Sequence, residues 1–162
     1  MAIADKIIVM NEGQVEDAGS PESIYLKPKT VFAASFMGEA NLLEGRVTSV
    51  VDDTISINTD LGQVNLGSAC CVNNNVHTGD DVWVCFRPEH VLAPGLPDNT
   101  DGVSLGNVRI TDQAFFGSHK RCQLMAGNGK MVIANLPQSV SIETETELPL
   151  RVQGSSIVVL RV

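Results

Sequence analysis

Gly45-Arg46-Val47-Thr48-Ser49-Val50-Val51, Thr54-Ile55-Ser56-Ile57-Asn58-Thr59 and Gly62-Gln63-Val64-Asn65-Leu66 are three short runs rich in Val, Ile and Thr. β-branched residues in runs of five to seven suit a pleated, half-buried strand better than a helix. Asp60-Leu61-Gly62 supplies the residues of a hairpin turn between the second and third runs. Similar runs recur at 82–87, 106–114, 119–125, 131–135, 148–153 and 156–162, and Asn128-Gly129 marks a second hairpin. From about Glu39 onward the chain therefore reads as all-β.

The two hairpins fall at matching places in two halves, about 39–93 and 103–162, of one 39–162 region. Gly45-Arg46-Val47 corresponds to Gly106-Asn107-Val108, Gly62-Gln63-Val64 to Gly129-Lys130-Met131, and Asp81-Val82-Trp83-Val84 to Glu147-Leu148-Pro149-Leu150. Each half offers about five strands, the number in an OB-type barrel. Between them lies the breaker-rich Pro94-Gly95-Leu96-Pro97-Asp98-Asn99-Thr100-Asp101-Gly102. The expectation is a mainly β protein with two OB-like barrels, or a composite pair that shares strands.

Residues 1–38 differ. Ile7-Ile8-Val9-Met10 and Val15-Glu16-Asp17 flank the polar turn Asn11-Glu12-Gly13-Gln14 and predict a hairpin. Ser20-Pro21-Glu22 then combines an N-cap hydroxyl, a proline at the first helical position and an acid at the positive end of the dipole. Pro28 stops that helix. Thr30 caps a second one that ends at Gly38. This short α/β segment is expected to pack poorly by itself, and to lean on the barrels or exchange between copies.

Composition bounds the function. The 162 residues are 43% apolar and 19% charged, the balance of a globular chain, with no apolar run near the length of a membrane-spanning helix. Net charge is -8, and from residue 39 onward eight Lys and Arg face fourteen Asp and Glu. That balance repels phosphate backbones and disfavours nucleic acid. Aromatic content of 4% also gives few stacking platforms for a single strand. Cys70, Cys71, Cys85 and Cys122 lack CxxC spacing, so they read as buried or half-buried thiols in a reducing compartment, not as metal ligands.

Ala4-Asp5-Lys6-Ile7-Ile8-Val9-Met10-Asn11-Glu12-Gly13-Gln14, Gly19-Ser20-Pro21-Glu22-Ser23-Ile24-Tyr25, Pro28, Phe32-Ala33-Ala34-Ser35-Phe36-Met37-Gly38 and Asn41 follow one another in order. The series resembles the end of the nucleotide-binding domain of an ABC importer ATP-binding subunit, leading into its C-terminal transport-associated OB (TOBE) regulatory domain. Phe86-Arg87-Pro88-Glu89-His90 and Phe115-Phe116-Gly117-Ser118-His119 resemble recurring pieces of such domains in importers of polyamines, ferric iron or sulfate. The resemblance implies a remnant of the ATPase at 1–38, with Met1 as an introduced start, and a TOBE region beyond it. It also implies a cytoplasmic subunit, peripheral to the inner membrane, that pairs with itself and docks on permease subunits without entering the membrane. ATP and Mg would belong to the parent subunit. No G-x-x-x-x-G-K-[ST] loop occurs in the chain: Gly127-Asn128-Gly129-Lys130-Met131 has the wrong spacing. The signature sequence and switch histidine of that family have no counterpart either, so no catalysis and no cofactor are expected here.

Two groups of residues remain as candidate sites. Arg87, Glu89 and His90 follow a strand at a proline that fixes the exit of the chain. They suit an interface with the nucleotide-binding domain or a partner, or more plainly an Arg87–Glu89 ion pair at a rim with His90 in solvent. Gly117, Ser118, His119 and Arg121 could receive an anion through backbone N–H and cationic donors. That is the basis of an alternative, a free-standing OB-type oxyanion-binding protein. The simpler expectation for the same loop is a turn whose Phe115 and Phe116 anchor the core.

Overall fold

The computed structural model describes residues 4–72, 76–95 and 101–162. Its eleven described strands form three sheets. β1 (Ile7–Asn11) and β2 (Gln14–Gly19) make the expected hairpin, followed by α1 (Pro21–Leu26) and α2 (Val31–Phe36). Ser20 Oγ accepts from Ser23 N–H and Thr30 Oγ1 from Ala33 N–H, both at 3.1 Å, so each cap satisfies a donor that its helix leaves open.

The larger part is β. β3 (Asn41–Val51), β4 (Thr54–Thr59), β5 (Gly62–Gly67) and β6 (Asp81–Phe86) are followed by β7 (Gly102–Phe115), β8 (His119–Ala126), β9 (Met131–Pro137), β10 (Glu147–Gln153) and β11 (Val158–Arg161). One sheet runs β11-β6-β3-β4-β5 and the other β10-β7-β8-β9, all neighbours antiparallel. The first strand of the β region starts at Asn41, four residues earlier than its Val-rich run suggests, and β7 starts at Gly102 within the breaker-rich stretch. Residues 96–100 of that stretch lie outside the described residues.

The ladders show the internal repeat in register. Arg46 stands opposite Asp81 and Asn58, and Arg109 stands opposite Glu147 and Met125. Two residues on, Thr48 and Thr111 bulge from their ladders, and each hydroxyl donates to a carbonyl across the strand pair, Ser56 O at 3.1 Å and Gln123 O at 3.3 Å. Asp81 with Glu147 therefore matches as expected from sequence. The other two correspondences need correction. The partner of Arg46 is Arg109, not Asn107, because β7 is longer at its start than β3. The partner of Val64 is Val132, not Met131: Val64 opposes Ile57 and Val132 opposes Leu124, both pointing into the core, while Met131 is exposed. A one-residue slip would have turned that strand inside out.

The halves exchange their ends. After β6 the chain makes a 3-10 turn at Pro88–His90, and Val91 bridges Val152 of β10. After β10 it makes the equivalent turn at Gly154–Ser156 and β11 pairs with β6, while Val159 bridges Cys71 to complete the ring of the first sheet. Each half thus gives its last segment to the other, which is the strand-sharing form of the two expected arrangements. One apolar cluster runs through both, from Leu43, Ile57 and Phe86 to Ile110, Leu124 and Leu150.

The α/β segment is seated on this β body. Ala34 of α2 packs with Cys85, Val158 and Leu160 on the outer face of the first sheet, and Val9, Ile24 and Ala33 form a small cluster of their own. Of the two arrangements expected for this segment, leaning on the barrels or exchanging between copies, the first is the one seen: the β body supplies a face for α2.

Candidate functional site

Arg87 directly follows β6 and is 3% exposed, although it carries a permanent charge. Among the described residues no carboxylate pairs with it. Nε and Nη2 donate to Tyr25 O at 3.2 and 3.0 Å, and Nη1 lies 2.8 Å from Ala34 O and 3.1 Å from both Gly38 O and Glu39 O. These are carbonyls at or just past the C-terminal turns of α1 and α2, where acceptors lack intrahelical donors and the partial charge is negative. The guanidinium also lies over the Tyr25 ring, 4.3 Å from its centroid. One side chain therefore closes two helices and fixes the strand that follows them.

Glu89 completes the arrangement from the other side. Its Oε1 accepts from Tyr25 Oη at 2.6 Å. Burial and then the carboxylate acceptor push the Tyr25 phenol up to about 12, so it stays a donor throughout the neutral range. The expected Arg87–Glu89 rim pair is thus replaced by two separate bonds to one helix, because the helix ends offer Arg87 a set of carbonyls that a solvent-facing carboxylate cannot match. His90 departs from expectation as well. It is half-buried in the turn that packs against β9, and its Nδ1 is enclosed without a hydrogen-bond partner. Burial, with Arg87 adding to it and Glu89 opposing, lowers its basicity.

The joint extends to the second half. Arg121 of β8 forms a bidentate pair with Glu39, one of whose bonds is Nη2 to Oε1 at 2.6 Å. That bond to Arg121 holds the Glu39 carboxyl below its ordinary range. Asn41, at the start of β3, donates to Ile133 O and accepts from Ile133 N–H, both at 2.8 Å, and so clips the outer edge of β9. Sequence reasoning singled out Arg87, Glu89 and Arg121 but missed Tyr25, Glu39 and Asn41. Only position could have found them: Tyr25 lies at the end of α1, and Glu39 and Asn41 lie where the chain passes into β3.

The four residues of the anion loop do not converge. Arg121 is committed to Glu39, Ser118 Oγ lies 3.1 Å from His119 Nδ1, and the His119 ring stacks on Phe116. Gly117 supplies a positive φ of 78° at the tip. Phe115 and Phe116 are 67% and 59% exposed at the β7–β8 turn and anchor no core, contrary to the simpler expectation. The four thiols are free, and among the described residues no three His, Cys, Asp or Glu side chains gather as a metal set.

Fold and joint together define an OB-type β module of two strand-sharing halves that grips a short α/β segment. The same fold occurs in the cytoplasmic molybdate-binding protein ModG, solved with molybdate bound: TM-score 0.56, 9% identity, 74% of this chain and 94% of that one. No family profile matches the chain. In sequence it is similar to the spermidine/putrescine import ATP-binding protein PotA of Trichodesmium erythraeum, 29% identical over 96% of this chain and 41% of that protein. The PotA proteins of Nitrosomonas europaea (33% identical, 72% of this chain, 32% of that one) and Shigella boydii (31%, 83% and 35%) are similar too. The resemblance to ATP-binding subunits of ABC importers, read above from residues 4–41, 86–90 and 115–119, is matched by similarity along most of the chain. The chain spans about two fifths or less of the length of these relatives. Among the described residues no helix is long and apolar enough to cross a membrane.

Proposed function

We propose that the chain is the non-catalytic regulatory and pairing region of a polyamine importer's ATP-binding subunit. The single observation that carries this is the Arg87 joint. It ties an α/β segment, whose relatives lie in import ATP-binding proteins, to a β body through both of that body's halves. A motion of the segment would pull on Arg87, Glu39 and Asn41 together and so reach the barrels as a rigid displacement. Contacts that differ between two positions of the joint are what would make the module regulatory. In this reading ATP and Mg act in the rest of a longer subunit, the permease subunits are its membrane partners, and two copies pair through the β region. Sedimentation equilibrium over a wide concentration range tests the pairing: a reversible dimer is expected, and a chain that stays monomeric at the highest concentration would remove self-association from the proposal.

The oxyanion-binding alternative rests on the ModG likeness, which concerns fold. The commitment of Arg121 to Glu39 leaves its loop without an available guanidinium, so the coupling role is preferred.

A further inference from the structure

A cavity of about 520 Å³ opens where the α/β segment meets the closing seam of the first barrel. Lys27 and Lys29 line it from one side, and Cys70, Cys71, Val72, Ser155, Ile157 and Val158 from the other. Its size lies within the range of small-molecule sites.

The donors available in it decide the class of ligand. Lys29 is partly occupied, its Nζ standing 3.4 Å from Asp17. Among the described residues Lys27 has no carboxylate partner, and it acts electrostatically on Cys70. Three backbone donors of the wall are already used: Cys71 N–H goes to Ser68 O, Ser155 N–H to Asp101 and Ile157 N–H to Gly154 O. A compact oxyanion, which needs several converging N–H groups, would find Lys27, a Lys29 shared with Asp17, and none of those three amides. The remaining wall is apolar, from Val72, Ile157 and Val158. The Cys70 thiol is kept neutral by burial and donates only weakly, to Gly154 O at 3.6 Å. A single charged head beside a hydrocarbon body fits that division.

We infer that this cavity is a binding site for a small amphipathic carboxylate, its head on Lys27 and its apolar part between Val72 and Val158. Because the walls come from the α/β segment and from both ends of the Cys71–Val159 seam, an occupant ties the segment to the barrel at a second place, away from Arg87.

Amide NMR titration of the chain with hexanoate, with inorganic phosphate as the contrasting anion, tests the assignment. Saturable shifts from hexanoate are expected at Ala69–Val72 and Ile157–Val158, with affinity weakened about tenfold in Lys27→Met and unchanged in Lys130→Met, which lies elsewhere in an ion pair with Asp60. Phosphate should not saturate. The inference is overturned by unsaturable or scattered hexanoate shifts, by equal binding in Lys27→Met, or by phosphate saturating the same amides. Lys27 is exposed, so its substitution leaves the fold intact.

Discussion

Arg87 and His90 sit three residues apart and show how one local geometry sets two different electrostatic outcomes. The guanidinium is buried without a counter-ion among the described residues, an arrangement tolerable only because its donors meet the carbonyls of Tyr25, Ala34, Gly38 and Glu39. Leaving such acceptors bare costs about 1–3 kcal/mol apiece when they stay buried. The His90 ring gains nothing comparable. Burial lowers its pKa from the ordinary 6.5, so the unfolded chain takes up a proton at a higher pH than the folded one does. His90 thus weakens the fold as pH falls through 6.5 toward the lower folded value, and leaves it at full strength above 6.5. Urea denaturation midpoints should fall between pH 7.5 and 5, and more gently in His90→Gln; identical slopes would show that the loss arises elsewhere.

At the scale of elements, the hairpins and strands were legible where sequence chemistry is local. Asp60-Leu61-Gly62, Asn128-Gly129, the Ser20 and Thr30 caps and the alternation along β4 and β9 each depend on a few adjacent residues. Gly106 was not legible in the same way. Read as the start of a strand, it lies inside β7 with φ of +118°, and a Cβ there would come 2.4 Å from Leu61 O at the β4–β5 turn. The glycine records a close approach of one half to the other, which no local pattern encodes. Gly106→Ala should therefore cost about 2 kcal/mol or more, read as a lowered denaturation midpoint. A loss no larger than that of Gly127→Ala, whose Cβ would meet open space, would contradict that contact.

For the whole molecule, the number of strands and the repeat were readable, but the exchange of ends was not decided between the alternatives. Val91 and β11 look like any other short apolar segments, and their destinations follow from the two 3-10 turns that carry them across. The candidate site was half legible for a related reason: Arg87 and Glu89 stand in a recognisable run, whereas their partners lie some fifty to sixty residues earlier. The central claim is that Arg87 couples the α/β segment to the β body. Hydrogen exchange of the intact chain and of Arg87→Met measures this directly. Amides of Ile24, Lys27, Ala34 and Met37, bonded within their helices, should lose protection in the variant, while those of β7, β8 and β9 keep theirs. Unchanged protection in the helices, or an equal loss in β7–β9, would contradict the coupling.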